Sequence, residues 1–222
     1  MTLHVFFSMN GDKDLLAAAS LQRLSRGFLA RRAYERQQAE RRSADERSGV
    51  KAPFVPTPAS AIQAIQDHFV RQGDVMCDLG CGDGRVLIAC AHKLDCGLGV
   101  DIQALPLNKA KEASTKWNDR LTWLLDDFYS IKVAEFLRDK ATICFLFLLP
   151  EVISTLTKYL VTNMREGSRI VCYTFPIPSL IGDNGSPFEW KPIKRLDIPD
   201  LPAGACTIYE YIVDVEVKKK FA

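Results

Sequence analysis

No run of apolar residues in this chain approaches the roughly 20 needed to cross a bilayer. The longest, Ile143 to Pro150, has the length of one buried parallel strand. Leu3 to Phe7 is too short for a secretory core, and Asp12 and Asp14 argue against a transit peptide, which is poor in acids. Histidine is scarce: His4, His68 and His92 are too scattered to form a metal set. An excess of one charge is also missing. Lys and Arg number 29 against 27 Asp and Glu, and the net charge of +2 gives no case for wholesale nucleic-acid binding. The seven cysteines contain no C-x-x-C pair and lie mostly in apolar patterns. They read as buried free thiols of a reducing compartment, against a zinc site or a disulfide framework.

What is present is one sizeable core's worth of sequence, 222 residues at 47% hydrophobic content. Its most informative stretch is Val75-Met-Cys-Asp-Leu-Gly-Cys-Gly-Asp-Gly-Arg-Val86. It reads as a buried strand ending in an acid, a glycine turn (Gly80, Gly82, Gly84), and a helix from Arg85 to about His92. Glycine lets the chain bend tightly and lets a ligand approach the main chain. The helix is expected to aim its amide-rich N-terminus at that ligand. Nicotinamide enzymes carry G-x-G-x-x-G/A and set a pyrophosphate there. This spacing is shorter, and Asp78 would repel a pyrophosphate. It suits a cationic amino-acid group instead, such as that of S-adenosylmethionine (SAM). Asp101 follows one βα unit later, where an acid takes both ribose hydroxyls. A glycine turn that binds nothing is the competing reading.

With these residues in place, the chain from about Pro53 to Val215 resembles a class I SAM-dependent methyltransferase. More narrowly, Pro53-Phe-Val-Pro-Thr-Pro58, Asp78 to Arg85, Leu148-Leu-Pro-Glu151, Gly167 to Val171 and Phe175-Pro176 resemble one family of small methyltransferases. That family includes mitochondrial protein-lysine methyltransferases of the adenine nucleotide translocase and of ATP synthase subunit c. Those relatives carry a hydrophobic N-terminal anchor that is not seen here, so membrane residence does not carry over. The expectation is a cytoplasmic protein, with a mitochondrial address left open by the resemblance.

A second signal lies near the N-terminus. Leu21-Gln22, Arg26-Gly27, Arg31 and Tyr34 match the IQ motif, whose helices bind calmodulin or related EF-hand proteins. Leu15, Leu21, Leu24 and Phe28 share one face at helical spacing, ringed by arginines. A basic amphipathic helix suits an acidic, methionine-lined groove. Gly27 costs about 1 kcal/mol in a helix, which a closely packed partner backbone would explain. A solvated Arg-rich helix is the plainer alternative. A nucleic-acid role is disfavoured: Leu21 to Ser48 holds eight arginines against four acids but little aromatic interleaving. The polar stretch Ser43 to Lys51 divides the chain into residues 1–50, an extension with the IQ helix, and 51–222, the methyltransferase domain.

The domain alternates strand and helix. Thr57 is expected as N-cap and Pro58 as first residue of a helix to about Arg71. Strands are expected at Val75–Leu79, Gly97–Ile102, Leu121–Asp126, Thr142–Leu149 and Ser168–Thr174. Helices are expected at Pro106–Trp117, around Ala134–Arg138 and at Glu151–Met164. Lys191–Ile198 and Cys206–Val215 form a terminal antiparallel pair. The fold class is therefore α/β, Rossmann-like, with a mostly parallel sheet. Its ligand belongs at the carboxyl ends of the strands, at the switch point.

The resemblance then implies roles. Gly80, Cys81 and Gly82 border the methionine part of SAM, with Asp78 near its ammonium. Asp101 holds the ribose and Ile102 packs on the adenine. Asp127 meets the adenine amino group and Phe128 covers the ring, with Asp126 as the competing acid. Thr57 closes over the cofactor or is only a helix cap. The acceptor pocket falls at Leu148, Leu149, Pro150, Glu151 and Tyr173, although Glu151 equally suits a helix's first turn and Tyr173, like Phe145, Phe147 and Phe175, equally suits the core. Many amine methyltransferases place Asn/Asp-Pro-Pro-aromatic at this corner; leucine here means that backbone carbonyls or Glu151 must orient the amine. The expectation is a protein-lysine N-methyltransferase. The alternatives are a calmodulin-binding adaptor with a non-catalytic fold, and a small-molecule or lipid N-methyltransferase.

Overall fold

The structure, a computed structural model, describes residues 55–198 and 206–221. The IQ segment and the start of the Pro53–Pro58 motif lie outside the described residues. The first described helix, α1, runs Ala59–His68. It begins later than the sequence suggested: Pro58 occupies the cap position and no side chain caps the first turn. Thr57 is instead a buried residue of the preceding extended segment.

Strands and helices then alternate: β1 (Asp74–Leu79), α2 (Arg85–Cys90), β2 (Leu94–Asp101), α3 (Ala104–Ala113), β3 (Leu121–Leu125), α4 (Ile131–Asp139), β4 (Ile143–Leu146), α5 (Pro150–Asn163) and β5 (Arg169–Tyr173). A hairpin of β6 (Leu180–Ile181) with β7 (Pro187–Phe188) precedes β8 (Lys194–Ile198), β9 (Cys206–Ile212) and α6 (Val215–Lys219). The main sheet has the order β3-β2-β1-β4-β5-β9-β8. Its first five strands are parallel, and β9 inserts antiparallel between β5 and β8.

Strand alternation builds two cores. Cys77, Leu79, Cys144, Leu146, Ile170 and Cys172 face one side, under α4 and α5. Met76, Ile143, Phe145, Val171 and Tyr173 face the other, under α1 and α2. Burial on both faces explains the apolar runs of β4 and β5. The amino ends of the strands are tied by one cation. Arg169, buried at the start of β5, donates to both carboxylate oxygens of Asp74 at 2.6 Å and to Glu210 Oε1 at 2.9 Å. It also donates to the Phe69 carbonyl at 2.6 Å, which fixes the end of α1.

The chain moves outward from β1 through β2 to β3, then crosses back to β4 and β5. The switch point therefore lies between the carboxyl ends of β1 and β4, where a crevice for a ligand forms.

Candidate active site

Two adjacent strand ends meet at that switch point. A Cβ added to Gly80, just after β1, would stand 2.8 Å from Leu148 Cδ2 and 3.8 Å from the Phe128 ring. The turn, the fourth-strand corner and the third-strand loop thus converge within one side chain's reach. Gly80, Gly82 and Gly84 have φ of 79°, 55° and 72°, a left-handed path that only glycine follows without strain.

Four of the turn's amides are spent inside the protein. Gly80 and Cys81 N–H both donate to the Val100 carbonyl, at 2.8 and 3.1 Å. Gly82 N–H donates to Asp101 Oδ2 at 2.8 Å, and Gly84 N–H to the Cys81 carbonyl at 2.9 Å. Arg85 N–H turns to Asp83 Oδ1. Of the helix tip that the sequence reading aims at the ligand, the Gly84 and Arg85 amides are thus engaged within the turn. α2 is only six residues long, and no side chain caps it. Among the described residues no backbone amide donates to the carbonyls of Gly80 or Gly82. A turn offering acceptors instead of donors suits a cation and not a phosphate.

Asp78 reinforces this. It is buried at 3% exposure, and its charged neighbours Asp101 and Asp83 are also acids. Burial first, then those two acids, push its carboxyl up to about 8. A ligand ammonium would relieve both penalties. Asp101, buried at the end of β2, accepts one amide on each oxygen, from Gly82 and from Gln103 at 2.8 Å each. Both bonds fix the carboxylate, and each oxygen keeps a lone pair for a hydroxyl. These residues fit the amino-acid and ribose parts of SAM.

The remaining candidates fall as follows. Ile102 follows Asp101 and is 51% exposed, an open apolar surface at the strand end. Asp126 is half-buried and accepts the Asp127 amide; Asp127 is exposed and accepts the Tyr129 amide at 2.8 Å. Phe128 is half-buried against the core near Gly80. Cys81 is buried, and burial followed by Asp78 and Asp101 pushes its thiol far above its ordinary range, which removes it as a nucleophile. Thr57 has no hydrogen bond to the glycine turn among the described residues.

At the acceptor corner, the Leu149 carbonyl caps α5, accepting from Val152 and Ile153 N–H at 3.0 Å. Pro150 opens that helix and Glu151 is an exposed acid in its first turn. The Leu148 carbonyl accepts no backbone amide among the described residues. Tyr173 requires a correction. It is 1% exposed, its ring packs edge-on against Phe147 with centroids 4.7 Å apart, and burial pushes its phenol well above the ordinary range. It is a core residue; half-buried Phe147 stands nearer the corner.

Two residues escaped the sequence reading. Trp123 of β3 lies under the turn: a Cβ at Gly84 or Gly99 would come within 2.3 or 2.5 Å of its ring. Its indole N–H donates to Ser114 Oγ at 2.9 Å. Glycines at 84 and 99 were the available signal for a large neighbour. Thr174, just past β5, has φ of 74°. That is an outlier for a β-branched residue, costing of order 1–3 kcal/mol, and no local pattern announces it.

The model of the ANTKMT methyltransferase domain matches residues 78–184. A protein-lysine N-methyltransferase of Saccharolobus islandicus (strain REY15A) is 27% identical over 166 residues, 72% of this chain and 93% of that protein. An RNA methyltransferase from Salinibacter ruber, solved with S-adenosyl-L-homocysteine, superposes with a TM-score of 0.57 at 25% identity, over 72% of this chain and 95% of its own. A tRNA m1G37 methyltransferase of M. jannaschii gives a TM-score of 0.53 at 17% identity, over 73% and 51%, and shows shared fold alone. A switch-point crevice with a carboxylate–glycine–carboxylate set, on a sheet shared with these enzymes, makes the chain a class I SAM-dependent methyltransferase.

Proposed function

We propose that this methyltransferase acts on lysine side chains of protein. The observation that carries the reading is the 27% identity to a protein-lysine N-methyltransferase over nearly that enzyme's whole length. The acceptor corner supports it: Leu148-Leu-Pro offers apolar walls and one unengaged carbonyl, not a polar side chain made to grip a particular small molecule. The near-balanced charge supports a protein over a nucleic-acid acceptor.

In this reading Asp78 holds the cofactor ammonium, assisted by the carbonyls of Gly80 and Gly82. Asp101 takes the ribose hydroxyls. Ile102 and Phe128 flank the adenine, and Asp127 (or Asp126) accepts from its amino group. Bound SAM supplies an electrophilic methyl group on a positively charged sulfur. A lysine amine attacks only when neutral. The apolar corner lowers its pKa by desolvation, so its proton leaves to solvent before the C–N bond forms and the C–S bond breaks. The Leu148 carbonyl then aligns the remaining N–H, and alignment in a dry pocket is the chain's main contribution to rate.

The test is tritiated SAM with total cell protein, followed by acid hydrolysis. Label recovered in methyllysine supports the reading. Label in free amines or nucleic acid, with none in methyllysine, sinks it.

For the N-terminal extension, residues 1–50, we propose that Leu21, Gln22, Arg26, Gly27, Arg31 and Tyr34 bind an EF-hand protein of the calmodulin kind. The motif and its basic amphipathic pattern support this. Capture of purified calmodulin by the full chain, lost in Gln22→Ala/Arg26→Ala, is the expected outcome; equal capture by the variant contradicts it.

A further inference from the structure

We infer that Thr174 is a positioning residue for the methyl acceptor, holding the Phe175–Ile177 turn across the carboxyl end of β5 beside Leu148. The inference rests on the methyl-transfer reading of the corner. Its ground is a break in strand alternation. Val171 and Tyr173 face the core under α1, while Ile170 and Cys172 face the core under α5. An uninterrupted strand would place Phe175 with Tyr173. Phe175 lies instead in the opposite core, followed there by Ile177 and Leu180. The left-handed conformation of Thr174 makes that reversal.

The reversal is anchored on every side. Tyr173 before it is fixed against Phe147. Thr174 N–H donates to the Thr207 carbonyl at 2.8 Å. Ile177 N–H after it donates to the hydroxyl of buried Tyr211 at 3.0 Å. Strain at one β-branched residue persists because two cores and two strands over-determine it.

Its location connects it to the chemistry. The last β1–β4 pair is Leu79 with Leu146, and the last β4–β5 pair is Leu146 with Cys172. Leu148 and Thr174 each stand two residues beyond that level, at the mouth of the same crevice. The turn that Thr174 sets is thus the lateral wall of the acceptor corner. The cofactor set lies on the other side, at β1 and β2.

The experiment compares Thr174→Gly and Thr174→Ser with wild type. Glycine accepts φ of 74° without strain but adds backbone freedom at the reversal; serine keeps a side chain there and so restricts the backbone as threonine does. Three quantities are read: amide exchange at Ile177, SAM affinity by calorimetry, and initial tritium transfer from SAM to total cell protein. Thr174→Gly is expected to remain folded, to bind SAM within about twofold of wild type, to exchange the Ile177 amide at least ~10-fold faster, and to transfer methyl at least ~10-fold more slowly, since small misplacements are costly in an aligned displacement. Thr174→Ser recovers most of both the exchange protection and the rate. Unchanged exchange, or an unchanged transfer rate once exchange has risen, overturns the inference. A wild type that binds SAM but transfers nothing to protein lysine instead counts against the proposed function, and the exchange comparison still decides whether Thr174 holds the turn.

Discussion

Asp78 carries the sharpest electrostatic consequence. Its carboxyl is raised to about 8 by burial and by two neighbouring acids, so at pH 7 it keeps its proton in the ligand-free protein. A bound ammonium favours the carboxylate, and binding at pH 7 should release up to one proton. Titrating SAM in two buffers of different ionisation enthalpy counts that proton; a count near zero contradicts the account. Affinity should accordingly rise with pH and level off above about 8. Stability runs the other way. The folded chain retains this proton after the unfolded chain has lost its own near pH 4. The contribution of Asp78 is therefore fully present below about pH 4 and is lost as pH rises towards 8. Asp78→Asn should weaken SAM binding at least ~10-fold while raising stability at pH 8 relative to wild type. Denaturant unfolding at pH 5 and pH 8 checks that sign.

At the scale of elements, the glycine turn rests on β3 as much as on β1. Trp123 occupies the space that side chains at Gly84 and Gly99 would need. Gly99→Ala should cost about 1–3 kcal/mol by overpacking, and much of that cost should vanish in a Trp123→Ala background, where only Cys81 Sγ, 3.0 Å away, still crowds the new methyl. A double-mutant cycle measured by chemical unfolding reads the coupling; additive costs would contradict it. The same contact shows what the sequence disclosed. The five parallel strands were legible because each is a short apolar run between turn signals. Asp78 and Asp101 were legible as candidate cofactor acids because they stand at strand ends in fixed relation to glycines. The role of the turn's amides was not legible, since it depends on Val100 and Asp101 arriving from the neighbouring strand. Tyr173 was misplaced for a similar reason: nearness to a strand end does not say which face a side chain takes. The β6–β7 hairpin was missed because two-residue strands carry no periodicity.

At the scale of the molecule, opposite ends of the sheet do different work. The amino ends are locked by Arg169 between Asp74 and Glu210, and the carboxyl ends hold the crevice. Arg169→Met would strand two buried carboxylates and should cost about 3–5 kcal/mol. Because the damage lies across the sheet from the site, the fraction that stays folded should still bind SAM within a few-fold of wild type. Thermal unfolding and calorimetry on one sample separate the two effects; loss of SAM binding in folded protein would deny the division. The sequence shows Arg169 only as part of the Gly167–Val171 segment and not its partners, because the pairings join residues 95 and 41 positions apart.

The central claim is that the carboxylate–glycine–carboxylate set at the switch point binds SAM. Its most direct test is calorimetric titration of SAM into wild type and Asp101→Ala. Micromolar binding is expected in the wild type, weakened at least ~10-fold (about 1.4 kcal/mol) in the variant. No binding by folded wild type, or equal affinity in both proteins, would contradict it.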